Sequence, residues 1–131
     1  MSEKHIYKAR IYYEDTDAGG VVYYANYFKF IERARTEMIY KLLGLSHSSL
    51  KNNHGCIFLV SGLTAKFLKP IKFEDNIEVF TRILSKSAVR LKLEQIIKRN
   101  SELMFKSEVD LAAVNSKGKL SKLDKELLAK I

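Results

Sequence analysis

The sequence predicts an α+β fold, because one early strand and one long amphipathic helix are followed by four strands with almost no helix among them. Two observations carry this. Tyr27, Ile31, Ala34, Met38 and Leu42 fall at helical spacing, with Phe30 and Ile39 beside them. Beyond residue 57 the apolar residues instead alternate or run together, as they do in strands. Length agrees: 131 residues fit one domain, 1–131, and 47% hydrophobic residues are enough for a core and too many for a disordered chain.

Taken in order, residues 5–13 alternate loosely, are rich in Ile and Tyr, and read as a strand. Residues 14–20, EDTDAGG, are acidic and then small, and read as a turn. The helix that follows runs for about 17 residues, or roughly 25 Å at 1.5 Å per residue, with Asn26 as its expected cap and Gly44 as its stop. His47 and His54 flank what reads as an exposed polar loop. Residues 57–69 form a long apolar strand with a bulge expected at Gly62, where Ser61 and Gly62 suit either substrate space or close packing on the helix. A turn follows around Pro70, the only proline, and residues 76–84 are the next strand. Residues 88–99 alternate most clearly: Val89, Leu91, Leu93, Gln95 and Ile97 face one way, and Arg90, Lys92, Glu94 and Lys98 the other. Residues 102–114 place Leu103, Phe105, Val109, Leu111 and Ala113 on one face. Short turns at 85–87 and 99–102 predict antiparallel neighbours. Residues 121–131 read as a short helix or a frayed tail.

Composition narrows the function. The single cysteine, Cys56, permits no disulfide within the chain and suits a reducing compartment; it reads as a core thiol at a strand start. The first ten residues, MSEKHIYKAR, lack the apolar run of a signal peptide, and no 18-residue apolar stretch exists, so a cytoplasmic protein without a membrane span is expected. The net charge of +8 is scattered, dense only from Lys117 to Lys130, and fits a basic solvated surface or a phosphate-bearing ligand. Nucleic-acid binding is not expected, since no helix combines clustered basic residues with a face free of acids.

The informative segment is 12–37, YYEDTDAGGVVYYANYFKFIERARTE. Three carboxylates, Glu14, Asp15 and Asp17, precede two glycines and a helix start. Glycines let the backbone turn sharply or approach a ligand. A helix start offers unpaired N–H groups and a positive dipole end, which suit a developing oxyanion. A carboxylate beside such donors can attack a carbonyl or activate water. Solubilising surface acids are the alternative reading of the same residues. Asp15 and Asp17 alone are a weak metal signal, the three histidines lack ligand spacing, and no metal or cofactor is expected. Half-burial in a strand is the default for Tyr7, Tyr12 and Tyr13, though each can also line a pocket.

This segment resembles the start of the 4-hydroxybenzoyl-CoA thioesterase-like hotdog family, and most closely its YbgC type, the acyl-CoA thioesterases associated with the bacterial Tol-Pal system. The likeness lies in Tyr-Glu-Asp-Thr-Asp-Ala-Gly-Gly-Val-Val-Tyr at 13–23, Asn26-Tyr27, and Glu-Arg-Ala-Arg-Thr-Glu at 32–37. The resemblance implies an antiparallel sheet wrapped around one long helix. It implies Asp17 as the catalytic carboxylate, nucleophile or general base, and the backbone N–H near Tyr24 as the group polarising the thioester carbonyl. Tyr13, Gly20, Val21, Asn26 and Tyr27 become the candidate substrate contacts. It further implies an acyl-CoA substrate, a homodimer or homotetramer with sites at subunit seams, and acyl carrier protein or phospholipid-synthesis enzymes as further partners. One departure stands out: the YbgC type commonly carries His where this chain has Tyr24. A phenol does not exchange protons near neutral pH as an imidazole does, so rate and substrate class turn on this position.

Thioester hydrolysis needs no cofactor, because the thiolate is already a good leaving group. Lys66, Lys69, Arg82, Arg90 and Lys92 are the basic residues considered for coenzyme A phosphates. The rival reading is a non-catalytic hotdog module that holds acyl-CoA or acyl carrier protein. The intact Asp17 speaks against it.

Overall fold

The computed structural model describes residues 4–131. The first three residues of the expected domain, and of the charged N-terminal segment, lie outside the described residues. Strand β1 (His5–Arg10) is followed by helix α1 (Asn26–Leu43), helix α2 (His47–His54), and strands β2 (Ile57–Phe67), β3 (Asn76–Lys86), β4 (Arg90–Arg99) and β5 (Glu102–Val114), with a last turn of helix, α3 (Lys125–Leu128). The five strands form one sheet in the order β1-β3-β4-β5-β2, with every neighbouring pair antiparallel.

The alternation in β3, β4 and β5 makes one sheet face apolar. Ile77, Val79, Thr81 and Ile83 on β3, Leu91, Leu93, Gln95 and Ile97 on β4, and Phe105, Ser107, Val109 and Leu111 on β5 are all buried. Helix α1 lays Tyr27, Phe30, Ile31, Ala34, Met38, Ile39 and Leu43 into the core that this face lines. Each fully buried Ile, Leu or Phe contributes about 1.5–3 kcal/mol of transfer free energy, so this seam holds the helix in place. A long helix packed against an antiparallel sheet in this strand order is the hotdog fold that the sequence resemblance implied.

Three polar residues interrupt the apolar face, and they are adjacent in register: Thr81 opposite Gln95, and Gln95 opposite Ser107. All three are satisfied. Gln95 Nε2 donates to the Ile31 carbonyl at 2.8 Å and to Thr81 Oγ1 at 2.9 Å, its Oε1 accepts from Arg35 at 3.1 Å, and Ser107 Oγ donates to the Gln95 carbonyl at 2.7 Å. A buried amide left unpaired is costly, so this belt permits one register of helix on sheet.

Several expected boundaries change. Strand β1 stops at Arg10 rather than residue 13, because Ile11 turns into the core and Tyr13–Asp15 form a turn of 3-10 helix. Asn26 is not the cap of α1: the helix begins at Asn26, and its side chain bonds instead to the Asp15 carbonyl at 2.9 Å. Gly44 does end the helix, in the left-handed conformation (φ 68°). The expected polar loop at 47–54 is helix α2, started by Ser46 Oγ accepting from Ser49 N at 3.0 Å and anchored by buried Leu50. His47 is therefore half-buried, its ring edge-on to Tyr40, while His54 is exposed and pairs with Asp124 at 2.8 Å. The bulge in β2 falls between Val60 and Gly62, where expected, and the strand ends at Phe67.

Candidate active site

The acidic turn is a small antiparallel knot. Thr16 bridges Val22, Asp17 N–H donates to the Val21 carbonyl at 2.9 Å, and Gly20 N–H donates to the Asp17 carbonyl at 3.0 Å. Gly20 sits at φ 79°, a left-handed backbone that a side chain would strain. The connecting segment 71–74 lines the turn: Val22 N–H donates to the Ile71 carbonyl at 2.7 Å, Val21 bridges Lys72, and Phe73 N–H reaches the Gly20 carbonyl at 3.4 Å.

Two carboxylates in this turn have different duties. Asp15 Oδ2 accepts the Tyr12 N–H at 2.8 Å and so closes the 3-10 turn, while its carbonyl receives Tyr23 N–H at 3.1 Å and Asn26 Nδ2 at 2.9 Å. Asp15 is thus bonded on all sides. Asp17 is exposed, and among the described residues its carboxylate accepts one bond, from Gly19 N–H at 2.8 Å. A Cβ at Gly19 would stand 3.2 Å from Asp17 Oδ1, so glycine leaves that carboxylate room. Among the described residues, neither aspartate joins a group of three or more potential metal ligands.

The helix start lies beside this turn, tied to it by Asn26 and Tyr23 through the Asp15 carbonyl. The N–H groups of Asn26, Tyr27 and Phe28 bond back to the carbonyls of Tyr23, Tyr24 and Ala25. That leaves the Tyr24 and Ala25 N–H groups as donors with no partner among the described residues.

The other expected contacts fall in two classes. Tyr13 is exposed and its ring stacks on Phe73, 4.0 Å between centroids at 15°. Gly20 and Val21 belong to the turn, and Asn26 spends its side chain on Asp15. Tyr27 faces the core, with 4% of its surface exposed, and its hydroxyl accepts the Ile71 N–H at 3.3 Å. Burial raises the Tyr27 pKa, and the bond from Ile71 works the other way with less effect, so this phenol stays protonated.

Phe67, at the end of β2, was not singled out by its sequence position. It is half-exposed and stands among Tyr24, Tyr27, Phe28 and Phe105, with centroid distances of 4.9 to 6.3 Å. An aromatic strand end is an ordinary feature, and the only signal in sequence was the density of aromatics at 23–30. Cys56 is buried and its thiol is pushed up by burial, then by Asp124, the opposite of an activated thiolate. Of the five basic residues considered for phosphates, Lys69, Arg82 and Lys92 are paired with Glu102, Glu94 and Glu108. Lys66 and Arg90 have no carboxylate partner among the described residues. Arg90 and Lys92 line a groove of about 360 Å³ with Ser61, Ser85, Ser87 and Asp110.

Residues 12–131 match the model of the thioesterase-like superfamily. The acyl-CoA thioesterase YbgC of Helicobacter pylori strain J99 is 36% identical over 137 residues, covering 95% of this chain and 99% of that one. The YbgC acyl-CoA thioesterase of Haemophilus influenzae is 36% identical over 109 residues, 83% of this chain and 79% of its own. Among solved structures, a probable thioesterase from Bartonella henselae superposes with a TM-score of 0.86 at 30% identity, covering 93% of this chain and all of the other. No helix among the described residues is long and apolar enough to cross a membrane.

Proposed function

The chain belongs to the thioesterase-like superfamily, and from that premise we propose that it hydrolyses an acyl-CoA thioester to a free acid and coenzyme A, with Asp17 as its catalytic carboxylate. The observation that carries the assignment is the contrast between the two aspartates. Asp15 is consumed in holding the turn, and Asp17 is exposed beside a helix start whose Tyr24 and Ala25 N–H groups have no partner among the described residues. The relatives called acyl-CoA thioesterases supply the substrate class.

In this reading the thioester carbonyl oxygen lies on the backbone N–H of Tyr24, where developing negative charge meets a fixed donor and the positive end of α1. Asp17 then acts in one of two ways. Its oxygen attacks the acyl carbon, the C–S bond breaks, and water opens the resulting anhydride. Alternatively it takes a proton from water, whose oxygen attacks, and the thiolate leaves. Tyr13, Gly20, Val21, Asn26 and Tyr27 frame the acyl group, directly or through the turn they build.

We also propose that a second copy completes the site, as a homodimer or within a homotetramer. Strand β2 is an edge of the sheet and leaves Leu59, Val60, Leu63 and Phe67 37 to 48% exposed. A long apolar edge with unpaired backbone groups is a surface that proteins cover. Because β2 also carries Phe67 beside Tyr24, a copy docked there borders the active-site cluster.

Release of free thiol from short, long and aromatic acyl-CoAs tests the proposal, using the wild type and Asp17→Asn. We expect at least one acyl-CoA to be turned over by the wild type and lost by the variant. Binding without turnover across the panel would instead make the chain a binding module.

A further inference from the structure

We infer that the Arg99–Asp75 ion pair is a positioning device for the active-site turn, holding residues 71–74 as the template on which residues 20–22 take their register. The inference rests on the proposal that Asp17 carries the chemistry. Neither Arg99 nor Asp75 belongs to the turn, and their role follows from the chain of bonds between them and it.

Arg99 Nη1 donates to Asp75 Oδ2 at 2.8 Å, and the same oxygen accepts the Lys72 N–H at 2.8 Å. Asp75 N–H returns a bond to the Lys72 carbonyl at 3.1 Å, which closes 72–75 into a tight loop. That loop presents the Ile71 carbonyl to Val22, Lys72 to Val21, and Phe73 N–H to the Gly20 carbonyl. The Phe73 ring carries Tyr13 stacked on it. Ile71, Lys72 and Phe73 therefore each touch the turn that bears Asp17, and the Asp75 carboxylate fixes the template's shape.

The second arm of the guanidinium reaches the other end of the same segment. Arg99 Nη2 donates to Glu102 Oε1 at 2.9 Å, and Glu102 also pairs with Lys69, whose backbone N–H is held by the Met104 carbonyl at 3.1 Å. One guanidinium thus spans carboxylates serving both ends of 69–75. An ammonium is a point donor and cannot span two carboxylates in fixed geometry. The Arg99 and Asp75 side chains are only 25% and 20% exposed, so this is not an ordinary surface pair. The segment also needs holding. Glu74 sits at φ 71°, a conformation unfavourable for a residue with a side chain, and its N–H donates to the Ile11 carbonyl at 3.0 Å.

The test measures kcat and KM for a turned-over acyl-CoA with Arg99→Met and Arg99→Lys, each also combined with Asp17→Asn. Circular dichroism establishes folding first. If Arg99→Met melts below the assay temperature, Asp75→Asn, which keeps the size of the side chain, takes its place with the same expectation. Misplacing the turn should lower kcat roughly 10- to 100-fold with KM within about threefold. Arg99→Lys, which keeps the charge and one of the two contacts, should recover part of that loss. In the Asp17→Asn background, Arg99→Met should cost nothing further, because the residue acts through Asp17. Unchanged kcat in folded Arg99→Met, beside a dead Asp17→Asn, overturns the inference alone. So does an equal fold-loss from Arg99→Met with and without Asp17. Normal turnover in Asp17→Asn removes the site reading itself, and this inference with it.

Discussion

The Asp15 carboxylate accepts the backbone N–H of Tyr12 at 2.8 Å, while Asp17, two residues on, accepts only Gly19 N–H among the described residues. The two aspartates should therefore fail differently. Asp17→Asn keeps size and shape but removes the nucleophile or base, and general-base help is typically worth about 10²–10⁴-fold, so turnover should fall at least roughly 100-fold. Asp15→Ala should cost roughly 1 kcal/mol of stability, as the loss of a cap does, with a smaller loss of turnover. Steady-state hydrolysis and thermal melts on both variants check this. If Asp15→Asn, folded, is the dead variant, the register of the site is wrong by two residues.

The exposed edge of β2 gives a second expectation. Leu63 lies on that edge, 37% exposed, opposite Val109 of β5. Leu63→Lys places a charge where an apolar partner surface is proposed, at little cost to a single chain. Light scattering should show a smaller particle than the wild type, and turnover should fall about 10-fold or more. A monomeric wild type with full activity would falsify the shared site.

What the sequence made legible follows from distance along the chain. Strand β4 was readable because Leu91, Leu93, Gln95 and Ile97 alternate with charged neighbours, and all four are buried. Helix α2 was not, because one buried residue, Leu50, gives an eight-residue helix no periodicity to detect. Its signals were punctuation: Ser46 at the start and Gly55, at φ 62°, at the end. Asn26 looked like a helix cap because an amide suits that position, but the Asp15 carbonyl, eleven residues away, claimed it. The Arg99–Asp75 pair joins residues 24 apart and the Tyr27–Ile71 bond residues 44 apart, and no local pattern encodes either. The candidate carboxylate was legible because turn, glycines and helix start are contiguous; the segment that braces them is not.

The buried amide of Gln95 offers a stability test. It serves the Ile31 carbonyl, Thr81 and Arg35 at once. Gln95→Leu fills similar volume but strands the Thr81 hydroxyl and a half-buried guanidinium, whose pKa burial already lowers. The cost should be about 2–3 kcal/mol, mostly the penalty of unpaired partners. A melt lowered by roughly 5–10 °C is expected. The double replacement Thr81→Val with Gln95→Leu should lose less than the sum of the single changes, since it removes one of the stranded groups. Strict additivity would show that the belt does not act as a unit.

His47 should make stability depend on pH. Burial pushes its pKa below the ordinary imidazole value, Glu32 opposes this more weakly, and its Nδ1 has no partner among the described residues. The unfolded chain titrates near 6.5. Between the folded value and about 6.5 the unfolded state binds more protons, so stability is complete above that range and falls as pH drops through it. His47→Phe keeps a ring against Tyr40 and removes the titration. The slope of melting temperature against pH between about 7 and 5 should shrink in the variant. An unchanged slope would place the acid sensitivity on other groups. Glu102 is not an alternative in this window: its pKa is lowered by Lys69 and Arg99, so its contribution is lost only below the usual carboxylate range.

The basic surface should declare its role through salt. Coenzyme A carries a pyrophosphate and a ribose phosphate, and Lys66 and Arg90 are the considered cations with no carboxylate partner among the described residues. Arg90 also lines the serine-rich groove beside Lys92. Charges near a solvated surface interact over about 8 Å at physiological ionic strength, and over less at higher salt. The KM for acyl-CoA should therefore rise with salt, while kcat, set by bond making and breaking at Asp17 rather than by phosphate contacts, should change less. Arg90→Gln should raise KM at low salt and flatten its rise, because the interaction that salt screens is already gone. Lys92→Gln should do less, since Lys92 already faces Glu108 at 3.7 Å. Asp17→Asn separates binding from chemistry: its equilibrium affinity for acyl-CoA should keep the same salt dependence while turnover is lost. A KM that does not move with salt, or an Arg90→Gln variant with the wild-type slope, would leave the net charge of +8 to solubility rather than to substrate.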